Sequence, residues 1–401
     1  MAMEIRVVRS NDVYRNMKDP SFMKYYYKLQ TMEKVVGTEV KGSSPPDIFI
    51  GRAGYPNVYI GPLVPPVSGD TSIMATPEMW VGKEIEEIVQ LRSSLIRGMY
   101  RTNIKNAGNG KVEEMIAELA MAEKCSEVEE TLRHRPELNM YFDENSQPYG
   151  PSAGLKSMRI ENSKPNPSIE KAYFDTDMGA TEAIIELYKK GVAVSKIQKS
   201  LSGGILGRGL GRRFVPTRWS ITAVDDTLSK YKLKGVKEYE CTDSIRVYQE
   251  AGLDNRWLVI VLPGAWEYEL VEAWYPNTTW NKNSPNIEIS SSYEPFKGRT
   301  KYAEIGGCYY AARLASAELL DKLEMQGKVV ILREAHPGYI MPVGVWNVRE
   351  HVREALRGEP IVLNSIGELF SLIRAKMDIL VEAWIKNSTL LTLHLRQKKL
   401  T

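Results

Sequence analysis

Apolar residues recur at three- and four-residue intervals from about Pro77 to Tyr100, and again from about Lys111 to Leu132, with glutamates between them. That period lines up one face of a helix, so both stretches predict amphipathic helices, with Glu84, Glu86, Glu87, Glu113, Glu114 and Glu118 on the solvated sides. Upstream, Asp47-Ile-Phe-Ile-Gly51 and Asn57-Val-Tyr-Ile-Gly61 predict two short strands joined by the Gly- and Pro-punctuated Arg52-Ala-Gly-Tyr-Pro56. Residues 143–168 are rich in Asn, Ser, Pro and Gly and predict a long loop, with one short strand near 155–160. Residues 181–188 and 195–202 predict two further helices. Ser220 or Thr222 then caps a helix reaching Tyr231, placing Asp225 and Asp226 in its first turn, where acids suit the helix dipole.

From residue 236 to 292 the pattern turns to β. Strands are expected over 244–249, 257–262 and 266–274, with Pro263-Gly264 as a turn. Residues 305–323 predict a helix and 329–333 a strand. Asn347 is expected to cap a helix over 348–357, closed by Gly358, and Ser365 to open another through Lys376. The first forty residues read as a helical arm. Helices mixed with hairpins, without a regular βαβ repeat, predict an α+β fold of largely antiparallel strands in two associated regions.

At 401 residues, 43% hydrophobic and 26% charged, the chain has the composition of a soluble globular protein with ample core material. It shows no run approaching a membrane span and no secretory leader, which points to a cytoplasmic protein. Cys125, Cys241 and Cys308 form no CxxC pair, and the four histidines, His134, His336, His351 and His394, are widely scattered. Neither a disulfide framework nor a cysteine zinc site is expected. The metal-binding, Walker and GxSxG patterns are absent, and Gly207-Arg-Gly209 does not complete GxGxxG.

Net charge is only +3, yet residues 187–224 hold eight Lys/Arg and no Asp or Glu. Within them lies a loop, 203–218, with Gly203, Gly204, Gly207, Gly209, Gly211, Arg208, Arg212, Arg213 and Arg218. Glycines there free the backbone to approach a ligand, and amides plus guanidinium groups suit anionic oxygens, phosphate above all. The competing reading is a solvated loop. Phe214, Pro216, Thr217 and Trp219 favour an ordered site in which Trp219 stacks on a base or fills core. Arg52 and Tyr55 sit at the tip of the first hairpin, where they either project toward a ligand or pack on their own strands.

Several motifs together resemble the archaeal Nre family of DNA repair proteins. They are Pro45-Pro-Asp-Ile-Phe-Ile-Gly-Arg-Ala-Gly-Tyr-Pro-Asn-Val-Tyr-Ile-Gly-Pro-Leu63, Gly150-Pro-Ser-Ala153, Val215-Pro-Thr-Arg-Trp-Ser-Ile-Thr-Ala-Val-Asp-Asp226, and Ala335-His-Pro-Gly-Tyr339 with Pro342-Val-Gly-Val-Trp346. The resemblance implies a large N-terminal region, 43–292, carrying the Gly/Arg loop, and a smaller C-terminal one, 293–391, flanked by an arm over 1–42 and a mobile tail over 392–401. It also implies a part in DNA damage tolerance with the replication sliding clamp, PCNA. Many members begin with a cysteine-rich, zinc-finger-like segment, but residues 1–42 contain no Cys or His, so no zinc finger is expected here. Gln397 and Leu400 match two positions of a clamp-binding peptide whose aromatic pair would fall beyond Thr401.

Three functions compete. The first is a clamp-recruited repair factor that binds DNA or a nucleotide through the Gly/Arg loop. The second is a hydrolase acting on a nucleotide or modified DNA, in which Asp225 and Asp226, then Glu304, Glu334 and His336, are the candidate catalytic groups and a divalent metal would accompany the chemistry. The third is a non-catalytic protein scaffold, against which the acid-free basic run argues.

Overall fold

The computed structural model describes residues 37–137, 147–278, 280–281 and 284–397. It divides into two compact units. The first runs to Thr227 and takes in Pro342–Gly344, and the second holds the remainder, so the boundary falls inside the helix Thr217–Val236. The expected N-terminal arm lies outside the described residues as far as residue 36.

In the first unit β1 (Glu39–Ser44), β2 (Ile48–Ile50), β3 (Asn57–Val64), β4 (Ile96–Asn103), β5 (Ser126–Leu132) and β6 (Ser152–Glu161) make one sheet in the order β1-β5-β6-β4-β3-β2. The β4–β6 pair is parallel and the other pairs are antiparallel. Its helices are α1 (Ile85–Ser93), α2 (Lys111–Met121), α3 (Pro167–Phe174), α4 (Ala180–Lys189), α5 (Val194–Ser202) and α6, the boundary helix Thr217–Val236. Helix α2 packs on β2, β3, β6 and α5, burying Ile116, Leu119 and Ala120.

Two expected helices are each cut short by a strand. The first ends at Ser93, and Ile96–Asn103 becomes β4. Gly98 explains this: a Cβ on Gly61 of β3 would stand 1.6 Å from the Gly98 carbonyl oxygen, so these strands meet where neither has a side chain. The second ends at Met121, and Ser126–Leu132 becomes β5, with Ser126, Val128, Glu130 and Leu132 turned inward on a period of two. Reading the inward Glu130 as polar leaves Val128 and Leu132 four apart, which mimics helical spacing. Burial pushes the Glu130 carboxyl well above the usual carboxylate range.

The second unit is also built on a six-stranded mixed sheet, with a different strand order. Strands β7 (Ile245–Gly252), β8 (Asn255–Leu262), β9 (Glu267–Trp274), β10 (Glu288–Glu294), β11 (Lys328–Ala335) and β12 (Ile361–Leu363) form a sheet in the order β10-β9-β11-β8-β7-β12. Strand β11 inserts between β8 and β9, parallel to β9 and antiparallel to β8. Helices α7 (Gly307–Lys322) and α8 (Trp346–Arg357) pack together and on β7, β8 and β9. On the other face α9 (Ile366–Lys376), α10 (Val381–Asn387) and α11 (Thr389–Gln397) bring Leu369, Ile373, Trp384 and Leu391 onto Val247, Ile260, Val271 and Leu332. With both faces covered, the central strands are almost continuously buried, which their unbroken Val/Ile/Leu runs require.

Ser365 caps α9 as expected, accepting from Glu368 N at 3.2 Å. Asn347 does not cap α8: the helix starts at Trp346, and the Asn347 carbonyl, 2.8 Å from His351 Nδ1, lies inside it. Helix α11 takes in residues 392–397 of the expected tail, whereas 398–401 lie outside the described residues.

His351 is buried, with its ring stacked on Trp257 at 4.7 Å. Burial lowers its pKa from 6.5 to about 4. Between those values the unfolded chain holds a proton that the folded chain excludes, so stability is lost as pH falls from 6.5 toward 4. His351→Phe is expected to remove roughly 3 kcal/mol of that acid-induced loss. Urea unfolding of both proteins at pH 7 and pH 4 measures it, and parallel pH profiles would count against a neutral buried His351.

Candidate functional site

Asp47, between Pro46 and β2, has no exposed surface. Arg92 of α1 donates to its Oδ2 at 3.0 Å, Lys199 of α5 donates to Oδ1, and Ile48 N donates to Oδ1 at 2.8 Å. Arg92 also donates to the Met74 and Pro148 carbonyls. Burial pushes the Asp47 carboxyl up, but the Lys199 ammonium and the Arg92 guanidinium more than offset it, holding the group below its ordinary value. Lys196, one turn before Lys199, points its Nζ at the Pro46 carbonyl 3.4 Å away. Its stem is partly exposed, but desolvation of the ammonium lowers its pKa to about 7, against the pull of Asp47 and with the help of Lys199.

This ion cluster holds the roots of two connections. Strand β2 leads into the Arg52–Pro56 turn, and α5 leads into the Gly/Arg loop. A second tie closes the far ends, where Ile50 N donates to Thr217 Oγ1 at 3.0 Å and Ser202 Oγ donates to the Val215 carbonyl at 2.7 Å. The hairpin tip therefore meets the start of α6. Tyr55 and Trp219 lie with ring centroids 5.1 Å apart and planes tilted by 57°, at 49% and 44% exposure.

In the strand that follows the turn, Tyr59 of β3 is the register partner of Arg101 of β4, and both are exposed. Arg213 and Lys105 are exposed too, and Phe214 N donates to the Ile104 carbonyl at 2.9 Å, so the segments carrying them run together. Residues 48–69 and 88–112 contain no Asp or Glu, like 187–224. These three acid-free segments are joined by the β3–β4 pairing, the Phe214 N–Ile104 carbonyl bond and the Ile50 N–Thr217 bond. Tyr59, Arg101 and Lys105 join Arg52 and Tyr55 as candidates only through this pairing; the two other acid-free stretches are their signal in the sequence.

Within the loop, Gly203, Gly204 and Gly207 are buried. A Cβ on Gly203 would lie 2.8 Å from Ala120 Cβ, and Gly204 has φ +71° against Ala107, so these two let the chain pack on α2 and its neighbours. The N–H groups of residues 203, 204, 205, 209, 211, 212, 214 and 215 donate to carbonyls. Arg212 donates to the Gly207, Ala172 and Asp175 carbonyls and lies over the Tyr173 ring, while Arg208 donates to the Asp177 carbonyl. Burial lowers the Arg212 pKa. Gly209 and Gly211 belong to a short 3-10 turn beside the exposed Leu210. The loop offers an anion mainly side-chain charge at its rim, with most of its amides already engaged.

Asp225 and Asp226 fall in the third turn of α6, which starts at Thr217 and not at Ser220. Asp225 is fully buried and accepts from Gln198 Nε2 at 3.1 Å. In the second unit Glu304 accepts from Ser292 Oγ and Arg299, and Glu334 and His336 meet each other at 3.3 Å. Gln397 is the last helical residue of α11, and Leu400 lies outside the described residues. Among the described residues no helix is long and apolar enough to cross a membrane.

Residues 18–281 match the family described as archaeal Nre, N-terminal, and residues 294–401 match archaeal Nre, C-terminal. The chain is 42% identical to DNA repair protein NreB of Archaeoglobus fulgidus, over 88% of this chain and 90% of that protein. It is 34% identical to DNA repair protein NreA of the same organism over 90% of each chain. With DNA repair protein NreA of Haloferax volcanii it shares 36% identity, over 84% of this chain and 82% of the relative. No solved structure matches it.

Removing the shared carboxylate leaves two buried cations without their partner, so Asp47→Asn is expected to destabilise the first unit by about 3–5 kcal/mol. Lys196 contributes a pH dependence. Its folded pKa of about 7 lies below the ordinary 10.5, so the unfolded chain holds more protons across that window and stability rises with pH, by up to about 1.4 kcal/mol per unit. Lys196→Met is expected to flatten that rise. Denaturant titrations from pH 7 to pH 10 test both, and an undiminished slope in the methionine variant would contradict the assignment.

Proposed function

The chain belongs to the archaeal Nre family, and from that membership we propose that it acts in DNA repair, binding DNA where the Arg52–Pro56 turn meets the start of α6. The observation that carries this reading is the half-exposed Tyr55–Trp219 pair, with Arg52, Arg213 and Arg218 close to it in sequence and Arg101 and Lys105 on a segment joined to theirs by the Tyr59–Arg101 register and the Phe214 N–Ile104 carbonyl bond. Flat rings stack on bases without regard to sequence, at about 1–3 kcal/mol per base. The surrounding guanidinium groups meet phosphate oxygens, which supplies affinity and makes it depend on salt. The acid-free segments remove the like-charge repulsion a phosphate backbone would otherwise meet.

A hydrolytic reading through Asp225 and Asp226 has less support. A buried carboxylate in the third turn of a helix, hydrogen-bonded to a glutamine, is a packing arrangement more than a water-activating one. The clamp partner belongs to the proposal through the family. Gln397 and Leu400 would supply two anchors of such a peptide, and two aromatic side chains beyond them would supply most of the apolar burial. A cytoplasmic location accompanies this function.

Binding of a labelled single-stranded oligonucleotide, measured over a salt series, tests the surface. Replacing Tyr55 and Trp219 with Ala is expected to weaken binding tenfold or more while leaving the salt slope in place. Replacing Arg213 and Arg218 is expected to flatten the slope by about one to two. Arg212→Ala, in contrast, is expected to lower thermal stability and leave the slope alone. Unchanged affinity in both multiple variants would remove this face from the function. For the clamp, calorimetry of the 401-residue chain and of a form carrying two added aromatics is expected to show micromolar binding, about −8 kcal/mol, for the longer form alone.

A further inference from the structure

In the second unit a catalytic candidate from the sequence acquires a partner that the sequence did not suggest. Glu334 near the end of β11, His336 just beyond it and Asp378 after α9 each bring one ligand atom within 4.8 Å of the others. Glu334 has no exposed surface, and its Oε2 and Oε1 accept from Asp378 N at 3.2 Å and Ile379 N at 2.8 Å. Those two bonds fix the carboxylate and tie the Asp378 segment to the strand. The His336 ring is stacked on Tyr275 at 4.3 Å, with Nε2 3.3 Å from Glu334 Oε2. Asp378 is exposed, and its Oδ1 accepts from Arg256 at 2.5 Å.

Two features fit a cation between these groups. A charge-assisted bond from a protonated imidazole to a carboxylate runs about 2.7–2.9 Å, shorter than the distance observed. Two donors on one ion at about 2.1 Å stand about 3.0–3.4 Å apart in octahedral or tetrahedral geometry, which brackets the 3.3 Å separation. Charge points the same way. Two carboxylates face one guanidinium and one imidazole, which leaves an uncompensated negative charge whenever the ring is neutral, as a ligand must be. Tyr275 orients the ring from one side, and closing the set requires Asp378 to turn from Arg256 toward Glu334 and His336.

We propose that Glu334, His336 and Asp378 bind one divalent transition-metal ion of the zinc or manganese class. One imidazole nitrogen with two carboxylate oxygens suits such ions better than calcium, which takes six to eight oxygens. The Asp378 side opens to solvent, so water or a ligand oxygen completes the coordination there.

The test uses the full chain, stripped with chelator and desalted, titrated separately with zinc and manganese by calorimetry. One ion per chain is expected in the wild type for at least one of the two metals. His336→Ala and Asp378→Asn are each expected to weaken that uptake at least about tenfold, with the metal-free melting curves showing that both variants fold. Absence of uptake in the wild type, or equal uptake in the variants, overturns the site. Should a variant unfold, manganese broadening of the His336 imidazole resonances in the wild type decides the question: strong broadening at one equivalent supports the site, and sharp lines at saturation overturn it.

Discussion

One buried carboxylate ties together three segments of the first unit. Asp47 holds Arg92 and Lys199 at once, so the start of β2, the end of α1 and the body of α5 converge on a single residue. Such a cluster adds little net stability, because the desolvation of three charges offsets most of their attraction. Its contribution is geometrical. The groups can be satisfied in few other arrangements, and the two chain segments that leave the cluster are those that later bring Tyr55 against Trp219. An apolar substitute of equal volume could keep the core filled, but would not by itself register these segments.

The second unit uses buried glutamates for a similar purpose. Glu269 of β9 accepts from Ser388 Oγ, Thr389 N and Leu390 N, and so holds the first turn of α11 on the sheet. Glu334 of the neighbouring strand accepts the two N–H groups of residues 378 and 379 in the same way. The C-terminal chain is thus pinned at two points by carboxylates rising from the sheet, and between them Ile379, Val381 and Trp384 fill the apolar layer. On the opposite face Arg333 pairs with Glu272 and accepts the close approach of the Trp274 ring. Polar anchors inside an apolar sheet make its register specific, since a slip by one residue would bury them unpaired.

How much of this was legible depended on whether the signal was local. The hairpin over 47–61 announced itself through Gly and Pro at its bend, and the cap at Ser365 through Glu368 three residues later. The strands at 96–103 and 126–132 were hidden because Gly98 and Glu130 occupy inward positions for tertiary reasons, one for close approach of backbones and one as a desolvated acid. Asn347 misled because a cap residue type sits one position inside its helix. The meeting of Tyr55 with Trp219 lies 164 residues apart in the chain and rests on Asp47, Thr217 and Ser202, none of which marks it locally.

The Gly/Arg loop shows why composition overstates a binding site. Charge density locates positive side chains but not their partners. Arg212 and Arg213 are adjacent and chemically identical, yet one is directed into three carbonyls and an aromatic face while the other is exposed. An arginine already holding three carbonyl oxygens has few donors left for a phosphate and would give up loop structure to use them. The glycines follow the same division: Gly203 and Gly204 serve close packing, and Gly209 and Gly211 shape the exposed bend. A phosphate-facing surface is therefore better sought where the loop's rim, the first hairpin and β4 present side chains together than within the glycine run itself. The exposed Arg213 beside the engaged Arg212 shows that the basic character of 187–224 divides between solvent and structure.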